Sequence, residues 1–235
     1  MRLTCLASLT LMATALAAAE PAGPAVLSRG DMRLLAGVLP AYEVEEESTA
    51  SATGSVSSYD WKDTDSNAGA IGVQYLREFG PAERNGQALI GVELLIHTAT
   101  LTPGGYTSGG QSFGNADGEE FSYVGLSPAL VLGWRFAQPT GNSLGFLGEL
   151  QAAGGVTALS GTIDNGLGNE SGYGFGLDGA VRGLLGLQEA GWTGTVSVGL
   201  RSSWATISLD QTTKSSDLTL NGLGAEILVS AGWLF

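Results

Sequence analysis

The residues most able to do chemistry are seven ionisable side chains that stand at alternate positions within apolar segments. They are Glu43, Glu93, Glu149, Asp178, Arg182, Arg201 and Glu226. If these segments enclose an interior, each charge inside it is costly unless it is paired. We therefore expect Arg182 to contact Glu149, and Arg201 to contact Asp178 or Glu226. Such a lumen charge network favours a static polar plug, with a gate that exchanges ion pairs as the alternative.

Other reactive groups are scarce. The sequence has one cysteine, Cys5, and one histidine, His97, and it lacks zinc-ligand spacing and a phosphate-binding glycine loop. Acidic segments at 45–47, 60–65 and 115–120 supply carboxylates of the kind that bind Ca²⁺ or Mg²⁺. Solvated surface loops are the favoured interpretation of these segments, so no cofactor and no metal site are predicted.

Composition excludes several classes of protein. The 235 residues include 23 acidic and 10 basic side chains, which give a formal net charge of −13. A nucleic-acid-binding protein needs a basic face, so this charge argues against one. Hydrophobic residues make up 43% of the chain and charged residues only 14%, which excludes an acidic disordered protein and suits a folded one.

The amino-terminal segment has the features of a secretory signal peptide. Arg2 precedes an apolar run from Leu3 to Leu16, and three alanines at 17–19 form a small-residue cleavage site. We predict a signal peptide at 1–19, a periplasmic lead-in at 20–30, and a folded domain at 31–235. Cys5 falls in the segment that is removed, so the exported chain would contain no disulfide.

Apolar residues recur at every second position along most of the remaining chain. One such series is Ala88, Ile90, Val92, Leu94 and Ile96. Eight segments have this period, which predicts eight strands, and several are long enough for a tilted membrane crossing. The opposite face is rich in glycine, alanine and serine with single charges, which suits the narrow interior of a small barrel whose apolar face meets lipid.

The predicted connections alternate between long and short. Four long polar segments and three tight turns separate the strands, as in an outer-membrane barrel with its long loops on one side. A lipid-facing sheet must also close, because hydrocarbon offers no partner for an open edge. The predicted fold is therefore all-β: a closed antiparallel up-and-down eight-stranded transmembrane β-barrel, with four long extracellular loops.

The last segment carries the most specific feature, an alternating apolar series that ends at Trp233 and Phe235. The chain resembles the small eight-stranded outer-membrane β-barrels of Gram-negative bacteria, the group of the OmpA transmembrane domain, OmpX and the opacity proteins. Leu228 and Ser230 depart from that pattern, which has a polar residue and a glycine there. The resemblance implies that Trp233 and Phe235 form the signal read by the barrel-assembly machinery, after delivery by periplasmic chaperones.

The resemblance also implies an integral protein of the cell outer membrane, in contact with membrane lipid and lipopolysaccharide. We expect a monomer with a plugged polar lumen and a structural or surface-interaction role, similar to an adhesin or opacity protein. The alternatives are a narrow channel for ions or small solutes and a lipid A-modifying enzyme. The enzyme is disfavoured because His97 is followed by Thr98 and Ala99, which does not match the deacylase His-x-Ser pattern. No catalytic residue is predicted.

Overall fold

The chain folds into antiparallel β-strands. The structure, a computed structural model, describes residues 30–40, 42–50, 56–62, 65–83, 86–114, 119–137, 144–164, 169–189, 191–210 and 214–235. The predicted signal peptide and the lead-in up to residue 29 lie outside these ranges. The described strands are β1 (Gly30–Val38), β2 (Tyr42–Ala50), β3 (Val56–Lys62), β4 (Asp65–Glu83), β5 (Gly86–Thr102), β6 (Gly105–Ser108), β7 (Gln111–Gly114), β8 (Glu120–Ala137), β9 (Gly145–Asp164), β10 (Asn169–Glu189), β11 (Trp192–Asp210) and β12 (Lys214–Leu234).

Within the described ranges, no helix is both long enough and apolar enough to cross a membrane.

Eight of these strands form a circuit of hydrogen-bonded neighbours. Their order is β1, β4, β5, β8, β9, β10, β11 and β12, and β12 also pairs with β1. The pairing of β12 with β1 is antiparallel and joins Leu234 to Asp31 at one end and Ile227 to Val38 at the other. The prediction of an all-β, antiparallel, up-and-down fold is thus confirmed. The predicted total of eight strands is wrong, because the described residues contain four more.

Three of the additional strands lie in segments that the sequence predicts as loops. The strand β3 pairs with β2 and with β6, and β6 pairs with β7 across a turn at Gly109 and Gly110. Both glycines have positive φ, 58° and 80°, which suits a tight hairpin turn. The side chains of β7 are all exposed, so this strand lacks the apolar face on which the sequence-based prediction of strands depends.

The fourth additional strand arises because the predicted first strand is broken. Pro40 has no N–H to donate to a strand ladder, and it lies between β1 and β2. Leu39 and Pro40 are both buried, so the alternation of faces shifts by one residue at this point. Tyr42 and Val44 consequently face the interior and Glu43 is exposed. The prediction that Glu43 belongs to the interior charge network is therefore wrong.

The break also gives the two parts of the predicted first strand, β1 and β2, different neighbouring strands. The strand β1 pairs with β4 and β12, whereas β2 pairs with β12 and then with β3. We call the end of the circuit with the β10–β11 turn and the chain end at Phe235 the turn end. We call the opposite end, which carries β3, β6 and β7, the loop end.

The two faces of the circuit have opposite chemistry. Large apolar side chains point outward, and the most exposed of them, each at 69% or more, are Leu130, Phe146, Tyr173, Phe175 and Leu185. Charged and polar side chains are buried on the inner face towards the turn end. A soluble β-sandwich has the reverse arrangement, with its apolar face buried.

The inner face towards the loop end is mainly apolar, although Glu46, Ser48 and Ser216 are also buried there. A buried cluster there contains Tyr42, Val44, Trp61, Ala99, Leu101, Phe121, Tyr123, Leu159, Ile163, Ala205, Ile207, Leu209, Leu218 and Leu220. The sequence predicts an interior of small and charged residues throughout, so this cluster is a difference from the prediction. Its physical origin is clearest in the first strand, where the shift at Pro40 turns Tyr42 and Val44 inward. The interior thus carries the buried charges in its turn-end half, beside a smaller apolar cluster of Leu76, Leu89, Val131 and Ala153, and the large apolar cluster in its loop-end half.

The carboxy-terminal residue takes part in joining β12 to β1. The backbones of Gly30 and Phe235 exchange two N–H···O=C hydrogen bonds, each of 2.9 Å. The Phe235 ring stacks on Tyr75 with 6.2 Å between ring centroids. It also covers Gly30, where an added Cβ atom would lie 2.8 Å from the ring. Phe235 therefore fills a space that the glycine leaves open at the junction of the first and last strands.

Deletion of Phe235 is expected to reduce the fraction of the protein that reaches a folded, heat-modifiable form, because it removes both the backbone pair and the ring. Phe235→Ala keeps the backbone pair and is expected to have an intermediate yield. Electrophoresis of unheated and heated membrane fractions measures the folded fraction. Phe146→Ala is the control, because Phe146 is 80% exposed and outside this junction. A normal folded yield after deletion would contradict a role for Phe235 in assembly.

Candidate functional site

The first part of the interior network centres on Glu149 near the turn end. Arg33 donates from Nη1 to Glu149 Oε2 at 2.9 Å and from Nη2 to Oε1 at 2.7 Å. Arg135 donates from Nε to Glu149 Oε1 at 2.7 Å, so one carboxylate accepts from two guanidinium groups. Both arginines also pair with Asp31, at 2.5 Å and 2.7 Å, and Arg135 reaches Glu78 at 3.2 Å. All five side chains are buried.

Four of these five residues are absent from the predicted network. Asp31 and Arg33 come from β1, Glu78 from β4 and Arg135 from β8. The alternation does place Arg33 and Arg135 opposite the apolar faces of their strands, so a signal for them is present in the sequence. The pattern of a single strand does not show which charges on other strands lie at the same depth along the circuit. These four residues therefore could not be assigned to the network from the sequence.

The second part of the network surrounds Arg182. This arginine pairs with Glu93 and reaches Glu226 at 3.5 Å. It also donates from Nε to Gln151 Oε1 at 3.2 Å, and Gln151 donates from Nε2 to Glu149 at 2.8 Å. The expected direct contact between Arg182 and Glu149 is therefore replaced by a bridge through Gln151.

The register of β9 and β10 explains this replacement. The Cα partner of Arg182 is Gln151, whereas Glu149 lies opposite Leu184. Arg182 consequently meets a glutamine on the neighbouring strand and a carboxylate from β5. Gln74 of β4 completes this part by donating to Glu93 at 2.8 Å and to Gln151 at 3.0 Å.

The third part of the network is centred on Arg201. Its Nε and Nη2 donate to the two carboxylate oxygens of Asp178 at 2.9 Å and 2.5 Å, in a bidentate pair. Its Nη1 donates to Glu226 Oε2 at 2.7 Å. Both partners considered from the sequence, Asp178 and Glu226, are thus in contact with Arg201.

These contacts join into one continuous network. Glu226 links Arg201 to Arg182, and Gln151 links Arg182 to Glu149 and the turn-end group. Every strand of the eight-strand circuit contributes at least one member. Bidentate arginine–carboxylate pairs are directional and strong, so the network acts as a cross-link between all eight strands.

His97 lies between the network and the apolar cluster. Its Nε2 is 3.0 Å from Ser127 Oγ and 3.3 Å from Thr157 Oγ1, and Ser127 donates to Thr157 at 2.8 Å. No hydrogen-bond partner for His97 Nδ1 is found among the described residues. A catalytic histidine of the serine-hydrolase type needs an acid at that nitrogen and a nucleophile that substrate can reach.

The histidine cluster does not meet the second requirement either. Ser127 is only 1% exposed, and His97 and Thr157 are also buried. The His97 ring packs edge-on against Tyr123 of the apolar cluster, with 5.7 Å between centroids. This geometry describes a hydrogen-bonded interior side chain rather than a nucleophile and base open to lipid.

The described residues contain no group of three or more histidine, cysteine, aspartate or glutamate side chains arranged to hold a metal ion. Glu45 and Glu47 of the first acidic segment are exposed on β2, and Asp60 is exposed on β3. Residues 115–118 of the acidic segment at 115–120 lie outside the described residues.

Comparison with known proteins identifies the fold. No family model matches the sequence, and no curated protein matches it. The outer membrane protein OprG of Pseudomonas aeruginosa is similar in structure, with a TM-score of 0.51 and 11% identity over 89% of this chain and 96% of that chain. The fold of this chain is therefore that of an outer-membrane β-barrel protein. At this identity the similarity concerns the fold and not the activity.

Two further solved structures are similar at lower scores. Ail, the attachment invasion locus protein of Yersinia pestis, has a TM-score of 0.33 and 12% identity over 88% of this chain and 99% of its own. The outer membrane protease OmpT of Escherichia coli has a TM-score of 0.42 and 10% identity over 92% of this chain and 99% of its own. The predicted resemblance to small outer-membrane β-barrel proteins is confirmed at the level of fold by OprG.

Proposed function

We propose that this chain is an integral outer-membrane protein whose eight-strand circuit closes into a transmembrane barrel around a plugged interior. Its role is structural or surface-interacting, and it is not an enzyme. The proposal depends on the combination of two features. The outer surface is apolar, and one ion-pair network on the inner face includes all eight strands of the circuit. The network leaves the arginines and carboxylates of the interior occupied with one another.

The outer surface supports a membrane location. Contiguous apolar patches of more than a few hundred Å² are rare on soluble monomers. Here the outward side chains of neighbouring strands are apolar over long stretches, as with Leu130 on β8 and Val92 on β5, which are Cα partners. Lipid removes the cost of exposing these side chains to water, and closure of the strands satisfies the backbone within the hydrocarbon.

Export and assembly follow from the same proposal. A signal peptide at 1–19 directs the chain to the periplasm, where chaperones carry it to the barrel-assembly machinery. That machinery reads the carboxy-terminal strand, including Trp233 and Phe235. The folded monomer then contacts membrane lipid with its outer face and lipopolysaccharide near the loop end.

The loop end supplies the surface for interaction. The strands β3, β6 and β7 extend the sheet beyond the circuit, and their exposed side chains include Asp60 and Phe113. The exposed Glu43, Glu45 and Glu47 add negative charge along the outward face of β2. This acidic, partly aromatic surface is the part of the protein that a partner outside the cell would meet.

Single cysteines test the proposed orientation. Ser57→Cys and Ser112→Cys at the loop end, made in a Cys5→Ser background, should react with an impermeant maleimide on intact cells. Glu189→Cys at the turn end should react only after the outer membrane is permeabilised. All three positions are exposed, so accessibility in the purified protein serves as the control. Reaction of Glu189→Cys alone would invert the orientation, and reaction of none on intact cells would contradict an outer-membrane location.

A further inference from the structure

Among the arginines whose side chains the structure describes, one lies outside the interior network and faces outward. Arg77 is on β4 between the outward residues Tyr75 and Phe79, and it is half-buried. The other four arginines with described side chains are the buried Arg33, Arg135, Arg182 and Arg201. Arg77 is therefore the one cationic side chain that the described part of the structure places on the outer face.

The position of Arg77 along its strand places it near the turn end. Its Cα partners are Gly30, the first residue of β1, and Ile90 of β5. Two residues away on the same face, Tyr75 stacks on Phe235. Aromatic rings of this kind gather where the hydrocarbon meets the headgroups of a membrane. Arg77 thus stands at the level of the lipid phosphates and not within the hydrocarbon.

The guanidinium group of Arg77 has unused hydrogen-bonding capacity. Its Nε is buried and has no hydrogen-bond partner among the described residues, and none of their carboxylates forms an ion pair with it. Because Nε is covered, a ligand reaches the guanidinium only through its Nη atoms, whose parallel N–H donors match two oxygens of a phosphate. A lipid phosphate at this level would supply the acceptor that the described protein groups do not.

We propose that Arg77 is a binding site for the phosphate of a phospholipid in the periplasmic leaflet. The site consists of the Arg77 guanidinium, with the stacked Tyr75 and Phe235 rings beside it to contact the upper part of the acyl chains. This assignment rests on the proposed function, because the orientation of the barrel places the turn end in the periplasmic leaflet. The phosphate chemistry itself depends only on the geometry around Arg77.

Native mass spectrometry of the refolded chain tests the site with three probes: phosphatidylglycerol, diacylglycerol with the same acyl chains, and lipopolysaccharide. Arg77→Gln should weaken binding of phosphatidylglycerol by about tenfold, the value of one charged hydrogen-bonding contact. It should leave binding of diacylglycerol and lipopolysaccharide unchanged. Arg77→Lys, which keeps the charge and loses the two-point contact, should weaken phosphatidylglycerol less. Lys214→Gln, a loss of charge at the loop end, is the matched control.

Equal binding of phosphatidylglycerol by the unchanged chain and Arg77→Gln would overturn the inference. A loss of lipopolysaccharide binding instead would also overturn it, since the site would then belong to the other leaflet. Heat-modifiable migration of each variant verifies that it is folded, and Arg77→Lys provides the test if Arg77→Gln does not fold. Failure of the cysteine-labelling experiment would contradict the proposed orientation and leave the phosphate contact standing, so the two failures are distinguishable.

Discussion

Replacement of Glu149 by alanine is expected to lower the free energy of unfolding by about 3–5 kcal/mol, the usual cost of breaking a buried ion pair from one side. The reason is that this carboxylate, which is 0% exposed, accepts hydrogen bonds from both Arg33 and Arg135. Its loss leaves two guanidinium groups in the interior with fewer partners. Urea unfolding in lipid vesicles, followed by tryptophan fluorescence, measures the change.

Two comparisons make this test specific. Glu45→Ala removes an exposed carboxylate from β2 and should change the stability by less than about 1 kcal/mol. Glu149→Ala combined with Arg135→Met should cost less than the sum of the single changes, because fewer charges are stranded. Additive losses in the double variant would contradict the contact between Glu149 and Arg135, and with it the connection of the turn-end group.

The second large effect concerns the outer face. Leu130→Arg should destabilise the protein in lipid vesicles by about 2–4 kcal/mol, as a cation does near the middle of a bilayer. Leu130 is 69% exposed on the outward face and lies in the central part of β8. Phe113→Arg is the matched control, since Phe113 is exposed on β7 outside the circuit and should tolerate the charge.

The same vesicle-based unfolding measurement applies to both variants. Similar stability of Leu130→Arg and the unchanged chain would mean that the centre of β8 does not meet hydrocarbon. A large loss in Phe113→Arg would place β7 at the membrane or in a packed contact. The first result would contradict the assignment of the outer face to lipid, and the second would contradict the assignment of the loop end to the aqueous surface.

Alternating polarity was enough to predict much of the fold. The series from Ala88 to Ile96 predicts both the existence of β5 and which face of it points outward, because a strand exposes every second side chain. The same reasoning failed where one residue changed the phase. Pro40 interrupts the strand ladder, Leu39 and Pro40 are buried together, and the residues beyond them face the opposite way. The alternation therefore predicts an interior position for Glu43, whereas the structure exposes it.

The partners of the interior charges were harder to predict than their burial. Arg182 and Glu149 are on adjacent strands, but Arg182 lies opposite Gln151 and its carboxylate partner Glu93 comes from β5. Such contacts across an interior depend on the stagger between strands, which no single-strand pattern contains. Asp178 and Glu226 could be proposed as partners of Arg201 because both are on strands directly beside it.

The apolar cluster inside the loop end also has a local origin. The segments that form β3 and β6 read as polar loops, yet Trp61 of β3 is buried in the loop-end cluster and Tyr106 of β6 packs against it. One or two aromatic residues in an otherwise polar segment are too few to give a periodic signal. The apolar cluster on the inner face at the loop end could therefore be recognised only from the packed structure.

The central claim is that the ion-pair network closes the interior of a membrane-spanning barrel, and the conductance of planar lipid bilayers tests it most directly. Refolded residues 20–235 should insert into the bilayer without producing discrete current steps, because all four described interior arginines are paired with carboxylates across the strands. Heat-modifiable migration of the same preparation verifies that the inserted protein is folded. Stable, reproducible current steps from the unchanged folded chain would contradict the plug and identify the protein as a channel.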